Sequence, residues 1–234
     1  MGIKRRQVIA WPARSALAIL SSPAAAGVYT PDPSIKPLLG SLVDRIAHAS
    51  RLPAPFVHPP AFLGTLPRAG ENKPELVFDT AFELDSDGWP GDRGNPNWQP
   101  ETSLRYADGR SLDANRVPYF VLPLPRAWPA QFGIALGDYA VVLFQRHLAY
   151  AVFGDQGPSN KLGEGSVELL RRLGQERVRP DGRVINAGTR PGVLTIVFPH
   201  SGAPADRTDE ATLLRAISSK GRTLFAEAGG RPPT

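Results

Sequence analysis

The stretch Ala140-Val-Val-Leu-Phe-Gln-Arg-His-Leu-Ala-Tyr-Ala-Val-Phe153 contains two apolar runs rich in aromatic and β-branched residues. The runs cover residues 140–145 and 148–153, and the polar residues Gln145-Arg146-His147 lie between them. Each run has the length of a β-strand, and a short polar connection between two such runs is typical of a hairpin. The stretch therefore predicts two antiparallel strands joined as a hairpin.

Similar runs recur on both sides of this hairpin, at residues 76–78, 119–122 and 193–198. Turns rich in Pro and Gly separate them, a pattern typical of a β-sandwich or a β-barrel. Apolar periodicity and helix-capping residues predict three peripheral helices, over residues 36–50, 166–173 and 209–219. We expect the last helix to be capped by Thr208 and to end at Gly221.

Composition supports a mainly β fold of the α+β kind. The 234 residues include 25 Pro and 23 Gly, too many for a helical bundle. Hydrophobic residues make up 41% of the chain and charged residues 21%, which excludes a wholly disordered protein. The chain has no Cys, which excludes a disulfide framework, a thiolate zinc site and a Cys nucleophile.

The N-terminal part of the chain differs in composition from the rest. A basic start, an apolar middle and three alanines before Gly27 outline either a signal peptide or a disordered arm over residues 1–26. Residues 27–70 are rich in proline and predict an extended arm with one helix. We expect a compact catalytic unit over residues 71–228 and no membrane helix, because no apolar run approaches the required length.

Charge is distributed unevenly along the sequence. The formal net charge is +5, but four of the positive residues lie within the first fourteen, which argues against nucleic-acid binding. Residues 71–101 contain eight acidic side chains and two basic ones. Such a segment suits a cationic ligand, and a solvated acidic loop explains the charge equally well.

The segment after the hairpin contains the best candidates for catalysis. The sequence has no P-loop, no G-x-S-x-G elbow, no G-x-G-x-x-G motif and no pair of histidines at helical spacing, which leaves carboxylate chemistry. Asp155 follows the predicted strand, and Glu164 lies nine residues later, each flanked by glycine. Two carboxylates across a cleft can act as the acid and the base of a glycosidase. Alternatively, Asp155 caps a turn and Glu164 favours a helix N-terminus.

Four segments resemble the chitosanases of glycoside hydrolase family 75 and occur in that family's order. They are Phe78-Asp-Thr-Ala-Phe-Glu-Leu-Asp-Ser-Asp-Gly88, Asn97-Trp-Gln-Pro-Glu-Thr-Ser103, Leu112-Asp-Ala-Asn-Arg-Val-Pro-Tyr119, and Phe153-Gly-Asp-Gln-Gly-Pro158 with Leu162-Gly-Glu-Gly-Ser166. The fungal members have a longer loop between the two acids and a Cys where this chain has Ser86. These differences leave the number of sugar subsites and the exact substrate open.

The resemblance implies a secreted, endo-acting enzyme that hydrolyses β-1,4 glucosamine linkages with inversion and without a metal or other cofactor. It implies a single compact β-barrel, of the double-psi kind, and maps the essential pair onto Asp155 and Glu164. Following it, we assign Glu164 as the general acid and Asp155 as the base. A helix N-terminus at Glu164 would argue against this assignment, because the helix dipole favours a charged carboxylate.

A glucosamine polymer carries ammonium groups, so its subsites need carboxylates. Asp85 and Asp87 are the candidates, and we expect Trp98 and Gln99 to contact the sugar, although Trp98 suits a core position equally well. The acidic segment resembles the start of a calcium loop but lacks the later ligands, so we expect no metal. Lys161 would repel a cationic sugar, and we expect it to face away or to pair with an acid.

Two other functions fit the same residues. The first is hydrolysis of partly acetylated chitin or of peptidoglycan, and the second is a non-catalytic carbohydrate-binding module. The favoured interpretation is a monomeric chitosanase with chitosan as its partner. We expect it to be secreted or periplasmic, and otherwise cytoplasmic.

Overall fold

The computed structural model describes residues 29–67, 73–124, 127–185 and 187–233. Nine strands form one mixed sheet: β1 Ser50–Arg51, β2 Phe62–Leu66, β3 Glu75–Thr80, β4 Glu83–Asp85, β5 Tyr119–Pro123, β6 Tyr139–Phe144, β7 His147–Gly157, β8 Glu164–Ser166 and β9 Val193–Phe198. The helices are α1 Lys36–Leu39, α2 Leu42–Ala47, α3 Ala127–Ala130, α4 Val167–Arg172 and α5 Glu210–Glu227. The expected mainly β class is confirmed.

The strands follow the order β1-β2-β3-β9-β6-β7-β5-β8-β4. Most neighbours are antiparallel, whereas β5 pairs with β7 and β4 pairs with β8 in parallel. Among the described residues, β1 and β4 are the two ends of the sheet and do not pair with each other. The sheet is not closed, so the expected β-barrel is not confirmed.

The five strands predicted from apolar runs are present as β3, β5, β6, β7 and β9. The hairpin of β6 and β7 turns at Gln145, whose φ of 54° lies in the left-handed region. Core side chains cover both faces of the central strands, and α1, α2 and part of α5 pack on one face while α4 packs on the other. Burial on both faces explains why these strands are continuous apolar runs rather than alternating ones.

The prediction of one continuous helix over residues 36–50 is wrong, because this segment forms the two helices α1 and α2. Gly40 separates α1 from α2 with a φ of 56°, and a side chain there would collide with the carbonyl oxygen of Gly229. The predicted helix after Glu164 is confirmed as α4, and the hydroxyl oxygen of its cap, Ser166, accepts a hydrogen bond from the Leu169 N–H at 3.1 Å.

The helix predicted from residue 209 is present as α5, but both predicted ends are wrong. Its N-cap is Asp209 rather than Thr208, because the Asp209 carboxylate accepts a hydrogen bond from the Thr212 N–H at 2.7 Å. The helix continues past Gly221 to Glu227, since Gly221 is a buried contact with Tyr150 and not a stop.

The described part of the Pro-rich segment packs against the sheet. Strand β2 pairs with β3 over five residues, and Arg45 forms an ion pair with the fully buried Glu75 at 3.0 Å. The Tyr29 hydroxyl donates a hydrogen bond to the buried Asp79 carboxylate. Among all the residues that the structure describes, no helix is long and apolar enough to cross a membrane.

Candidate active site

The two candidate catalytic carboxylates lie on either side of one strand. Val121 in β5 is the register partner of Asp155 in the parallel strand β7 and of Glu164 in the antiparallel strand β8. Directly paired residues point to the same face of a sheet. Asp155 and Glu164 therefore share a face, although nine positions separate them in the sequence.

A β-bulge at Gly154 sets the direction of Asp155. Phe120 and Val121 are consecutive in β5, and their partners in β7 are Phe153 and Asp155. Gly154 is therefore the extra residue of the bulge. A Cβ at Gly154 would lie 2.5 Å from the Cβ of Tyr119, so only glycine fits here without displacing β5. Bulges of this kind re-aim the side chain that follows them.

The Asp155 carboxylate is held by three donors. Its Oδ1 accepts hydrogen bonds from the Ser103 N–H at 2.9 Å, the Ser103 hydroxyl at 2.5 Å and the Gln156 N–H at 2.7 Å. The residue is 6% exposed. This cradle fixes the orientation of the carboxylate and suits a negatively charged oxygen.

The Glu164 carboxylate reaches across β5 towards β7. Its Oε2 occupies the space beside Gly157, where a Cβ on residue 157 would collide with it. Gly157 is two residues after Asp155 on the same strand. Alternate residues of a strand share a face about 6.6 Å apart. The missing side chain at Gly157 thus leaves room for the Glu164 carboxylate close to Asp155.

Lys161 also contacts Glu164. Its ammonium nitrogen lies 2.6 Å from Glu164 Oε1 and 2.6 Å from Glu83 Oε2. Burial disfavours the charge on Lys161, but the hydrogen bonds to Glu164 and Glu83 outweigh it and raise the pKa of Lys161 above its usual value. The expectation that Lys161 pairs with an acid is confirmed.

Asp85 and Asp87 lie next to the pair at the end of β4. Asp85 Oδ1 accepts hydrogen bonds from the Asp87 N–H at 2.8 Å and from the Tyr119 hydroxyl at 3.1 Å. Burial, followed by repulsion from the negative charges of Asp87 and Asp155, raises the pKa of Asp85 well above its usual value. A cation placed here would relieve that repulsion.

These residues line a cleft of about 340 Å³. Its charged lining residues are Glu83, Asp85, Asp87, Asp155, Lys161 and Glu164. Among the described residues of this lining, five carboxylates face one ammonium group, so this part of the lining is strongly acidic. The acidic segment identified in the sequence therefore contributes to a cleft rather than only to a solvated loop.

The structure separates the two other predicted sugar contacts. Gln99 lines the cleft, and its N–H donates a hydrogen bond to Asp87 Oδ1 at 2.7 Å. Trp98 is not among the lining residues. The guanidinium of Arg93 lies 5.9 Å from the ring centroid of Trp98, whose indole N–H is buried without a hydrogen-bond partner among the described residues.

Within the part of the chain that the structure describes, Asp85, Asp87 and Asp155 form a group that could hold a metal ion. Each offers one oxygen, and the three oxygens lie within 4.8 Å of one another. Oxygen ligands suit Ca²⁺ or Mg²⁺, and both ions use more ligands than three carboxylate oxygens supply. The same oxygens can also accept hydrogen bonds from an ammonium group.

Sequence analysis missed several residues that shape the site. Ser103, Tyr119 and Gly157 all occur in the motifs quoted above, but nothing in their spacing indicates that they contact the acids. Glu83 was counted only as part of an acidic segment. The signal that could have found Glu83 and Glu164 together is the pairing of β4 with β8, and these strands are too short to recognise from periodicity.

The chain matches a model of a protein family. The family model described as fungal chitosanase of glycosyl hydrolase group 75 matches residues 82–226, more than half of the chain. The matched region contains the six charged residues that line the cleft. Among curated proteins, none matches the chain at a significant level.

Proposed function

Because the chain belongs to glycosyl hydrolase group 75, the family described as fungal chitosanase, we propose that it cleaves β-1,4 bonds between the glucosamine units of chitosan. Membership makes the chain a glycoside hydrolase. The observation that supports the proposal is the position of Asp155 and Glu164 on one face, on either side of Val121, in an acidic cleft.

The charge of the cleft suits this substrate. Chitosan carries an ammonium group on its glucosamine units, and carboxylates form strong, charge-assisted hydrogen bonds with ammonium groups. Asp85 and Asp87 bind such a group in our proposal, because their oxygens converge with that of Asp155. Gln99 extends the same wall of the cleft with a neutral amide.

We propose an endo-acting reaction with inversion at the anomeric carbon and without a metal ion. Protonated Glu164 donates its proton to the glycosidic oxygen as the bond from that oxygen to C1 breaks. Asp155 accepts a proton from a water molecule, whose oxygen forms the new bond to C1 on the opposite face. Inverting enzymes hold the two carboxyl groups about 6.5–9.5 Å apart. The position of the Glu164 carboxylate, one same-face step along β7 from Asp155, supports such a spacing.

The hydrogen bonds of Asp155 support its assignment as the base, because its Ser103 and Gln156 donors suit the charged form. Glu164 lies in β8, and Ser166 rather than Glu164 caps α4, so the helix-dipole argument against an acid role loses its structural basis. Lys161 must release Glu164 before Glu164 takes up a proton. Glu83 can retain the ammonium group when this happens.

The test is a reducing-end assay on fully deacetylated chitosan with Asp155→Asn and Glu164→Gln. We expect each variant to lose about 10²–10⁴-fold in turnover, the range that a general acid or base contributes. The matched control is Asp181→Asn, an exposed carboxylate paired with Arg183, which we expect to leave turnover unchanged. Circular dichroism and the thermal midpoint establish that the variants are folded.

Near-normal turnover in either carboxylate variant would contradict the proposed mechanism. Chitosan binding without reducing-end release by the wild type would instead indicate a binding module. Release from partly acetylated chitin or peptidoglycan but not from chitosan would identify the other hydrolase function. Wild-type turnover that EDTA abolishes and Ca²⁺ restores would contradict the proposal that no metal is used.

We propose that the enzyme acts as a monomer outside the cytoplasm, in the medium or in the periplasm. The signal-peptide outline over residues 1–26 lies outside the described residues. N-terminal sequencing of the exported protein would identify the cleavage site, and size-exclusion chromatography would test the monomer.

A further inference from the structure

We propose that Asn97, together with Gln99, binds hydroxyl groups of the polymer. The inference rests on the proposed function and deepens it, because it adds a second kind of contact to the carboxylates that bind ammonium groups. Asn95, Asn97 and Gln99 line the cleft, and we call these three residues the amide wall. An amide carries no charge, so the wall serves glucosamine and N-acetylglucosamine units alike.

Sugar hydroxyls need hydrogen-bond donors as well as acceptors. A hydroxyl donates one hydrogen bond and accepts up to two, a charged carboxylate only accepts, and a side-chain amide does both. Charged carboxylates in the cleft can therefore accept hydrogen bonds from hydroxyls and from ammonium groups, but they cannot donate to the lone pairs of a hydroxyl. The NH₂ groups of Asn97 and Gln99 can donate to these lone pairs.

The side-chain amides of Asn97 and Gln99 are available to a ligand. Both residues are exposed, and in the part of the chain that the structure describes neither side-chain amide forms a hydrogen bond. Their backbone N–H groups do form such bonds. The Asn97 N–H donates to Asn95 Oδ1 at 3.0 Å, and the Gln99 N–H donates to Asp87 Oδ1 at 2.7 Å. The backbone of the wall is thus fixed while these two amides can bind a sugar.

The buried carboxylate of Asp92 holds the amide wall in place. Asp92 is 9% exposed, and its Oδ2 accepts hydrogen bonds from the Ser86 hydroxyl at 2.5 Å and from Asn95 Nδ2 at 3.0 Å. At the other end of the wall, the Gln99 carbonyl accepts a hydrogen bond from the Gly88 N–H at 2.9 Å. A wall that is ordered before binding loses less conformational entropy when the sugar binds.

The test measures kcat and KM of Asn97→Ala on fully deacetylated and on partly acetylated chitosan. We expect KM to rise about fivefold on both substrates, the size of one neutral hydrogen bond. The value of kcat should stay within about twofold of the wild type, because the lost contact is made equally in the ground state and in the transition state. Gln131→Ala removes an exposed amide outside the cleft lining and should change neither constant.

Asn97→Asp gives a readout that a merely structural role would not move. It exchanges the amide for a carboxylate of the same size, so the contact with the cationic polymer becomes dependent on salt. The ratio of its KM to that of the wild type should fall at least about twofold between about 1 M and about 0.1 M salt. Gln131→Asp adds the same charge outside the cleft lining, and its ratio should change less.

Two results would overturn this inference and leave the proposed function intact. The first is an unchanged KM in Asn97→Ala with a salt dependence of Asn97→Asp no larger than that of Gln131→Asp. The second is a rise in KM confined to the partly acetylated polymer, because Asn97 would then bind the acetamido group rather than a hydroxyl. An absence of reducing-end release by the wild type would overturn the proposed function, and this inference with it.

Discussion

Asp85 lies in a position where its own charge is unfavourable. Burial first, and then the negative charges of Asp87, Asp155 and Glu164, raise its pKa in the folded protein. An unfolded chain has an aspartate pKa of about 3.9. Because the folded protein binds the Asp85 proton more tightly, Asp85 contributes stability that is fully present below that unfolded pKa. The contribution is lost as pH rises through the folded pKa.

The prediction at this scale is that Asp85→Asn raises thermal stability at pH 7 and that its effect shrinks towards pH 3. The amide avoids the charge that burial penalises, so the midpoint should rise by at least about 2 °C, the shift that 1 kcal/mol produces in a domain of this size. Calorimetry across pH 3–8 measures the difference. We expect chitosan hydrolysis to fall at the same time, because Asp85 binds an ammonium group in the proposed function.

Asp108→Asn is the matched control for the pH profile. The hydrogen bonds from the backbone and side chain of Arg110 lower the pKa of the exposed Asp108, so its contribution has the opposite sign and is lost as pH falls. A lower midpoint for Asp85→Asn at pH 7 would mean that the hydrogen bonds to the charged carboxylate outweigh the cost of its burial.

Helix α5 illustrates how packing overrides a local signal at the scale of elements. A glycine in a helical pattern normally indicates an end, yet α5 continues through Gly221. A Cβ at this position would lie 2.7 Å from the Cβ of Tyr150 in β7, so the glycine lets the helix approach the sheet closely. Gly221 is thus a contact residue, and the sequence does not distinguish this function from a stop.

We predict that Gly221→Val destabilises the protein by about 1–3 kcal/mol, the usual cost of overpacking a core contact. Urea unfolding followed by circular dichroism measures the loss. Ser218→Val, on the exposed side of the same helix, is the matched control and should change stability by only a few tenths of a kcal/mol. Equal effects of the two variants would contradict the contact between Gly221 and Tyr150 as the cause.

The sequence predicted the strands that bury apolar side chains on both faces and missed β4 and β8, the two short strands that contribute Glu83, Asp85 and Glu164 to the site. Strands β3, β5, β6, β7 and β9 are apolar runs, and each was predicted. Strands β4 and β8 have three residues each and are rich in acids and glycine, so they have no recognisable period. Their existence depends on pairing with distant strands. The acids could therefore be identified as candidates, but their partners could not.

Arg45 joins three distant parts of the molecule. Its guanidinium pairs with the buried Glu75 in β3 and donates hydrogen bonds to the carbonyls of Pro67 and of Ala228, just after α5. The backbone N–H of Arg231 donates to the Leu38 carbonyl at 2.7 Å, close to the same place. The segment before β2 and the segment after α5 are therefore fastened to each other and to the sheet.

We predict that Arg45→Met destabilises the whole molecule by about 2–3 kcal/mol. Removing one partner of a buried ion pair costs about 3–5 kcal/mol, and Arg45 is partly exposed, which reduces the loss. Adding Glu75→Gln should recover part of it, because the buried charge is then gone. Arg146→Met, at the exposed turn of the hairpin, is the control. Urea unfolding measures the free energy of unfolding of both variants, and equal losses would contradict the prediction.

Strands β7 and β8 pair with opposite edges of β5, and this arrangement has a consequence for how the site can evolve. The distance between Asp155 and Glu164 is determined by the width of strand β5, which lies between them. The loop of residues 158–163, which joins the two strands along the chain, does not determine this distance. Insertions and deletions in this loop can therefore change the walls of the cleft, and with them the polymer that the cleft accepts. The distance between the two carboxylates stays the same.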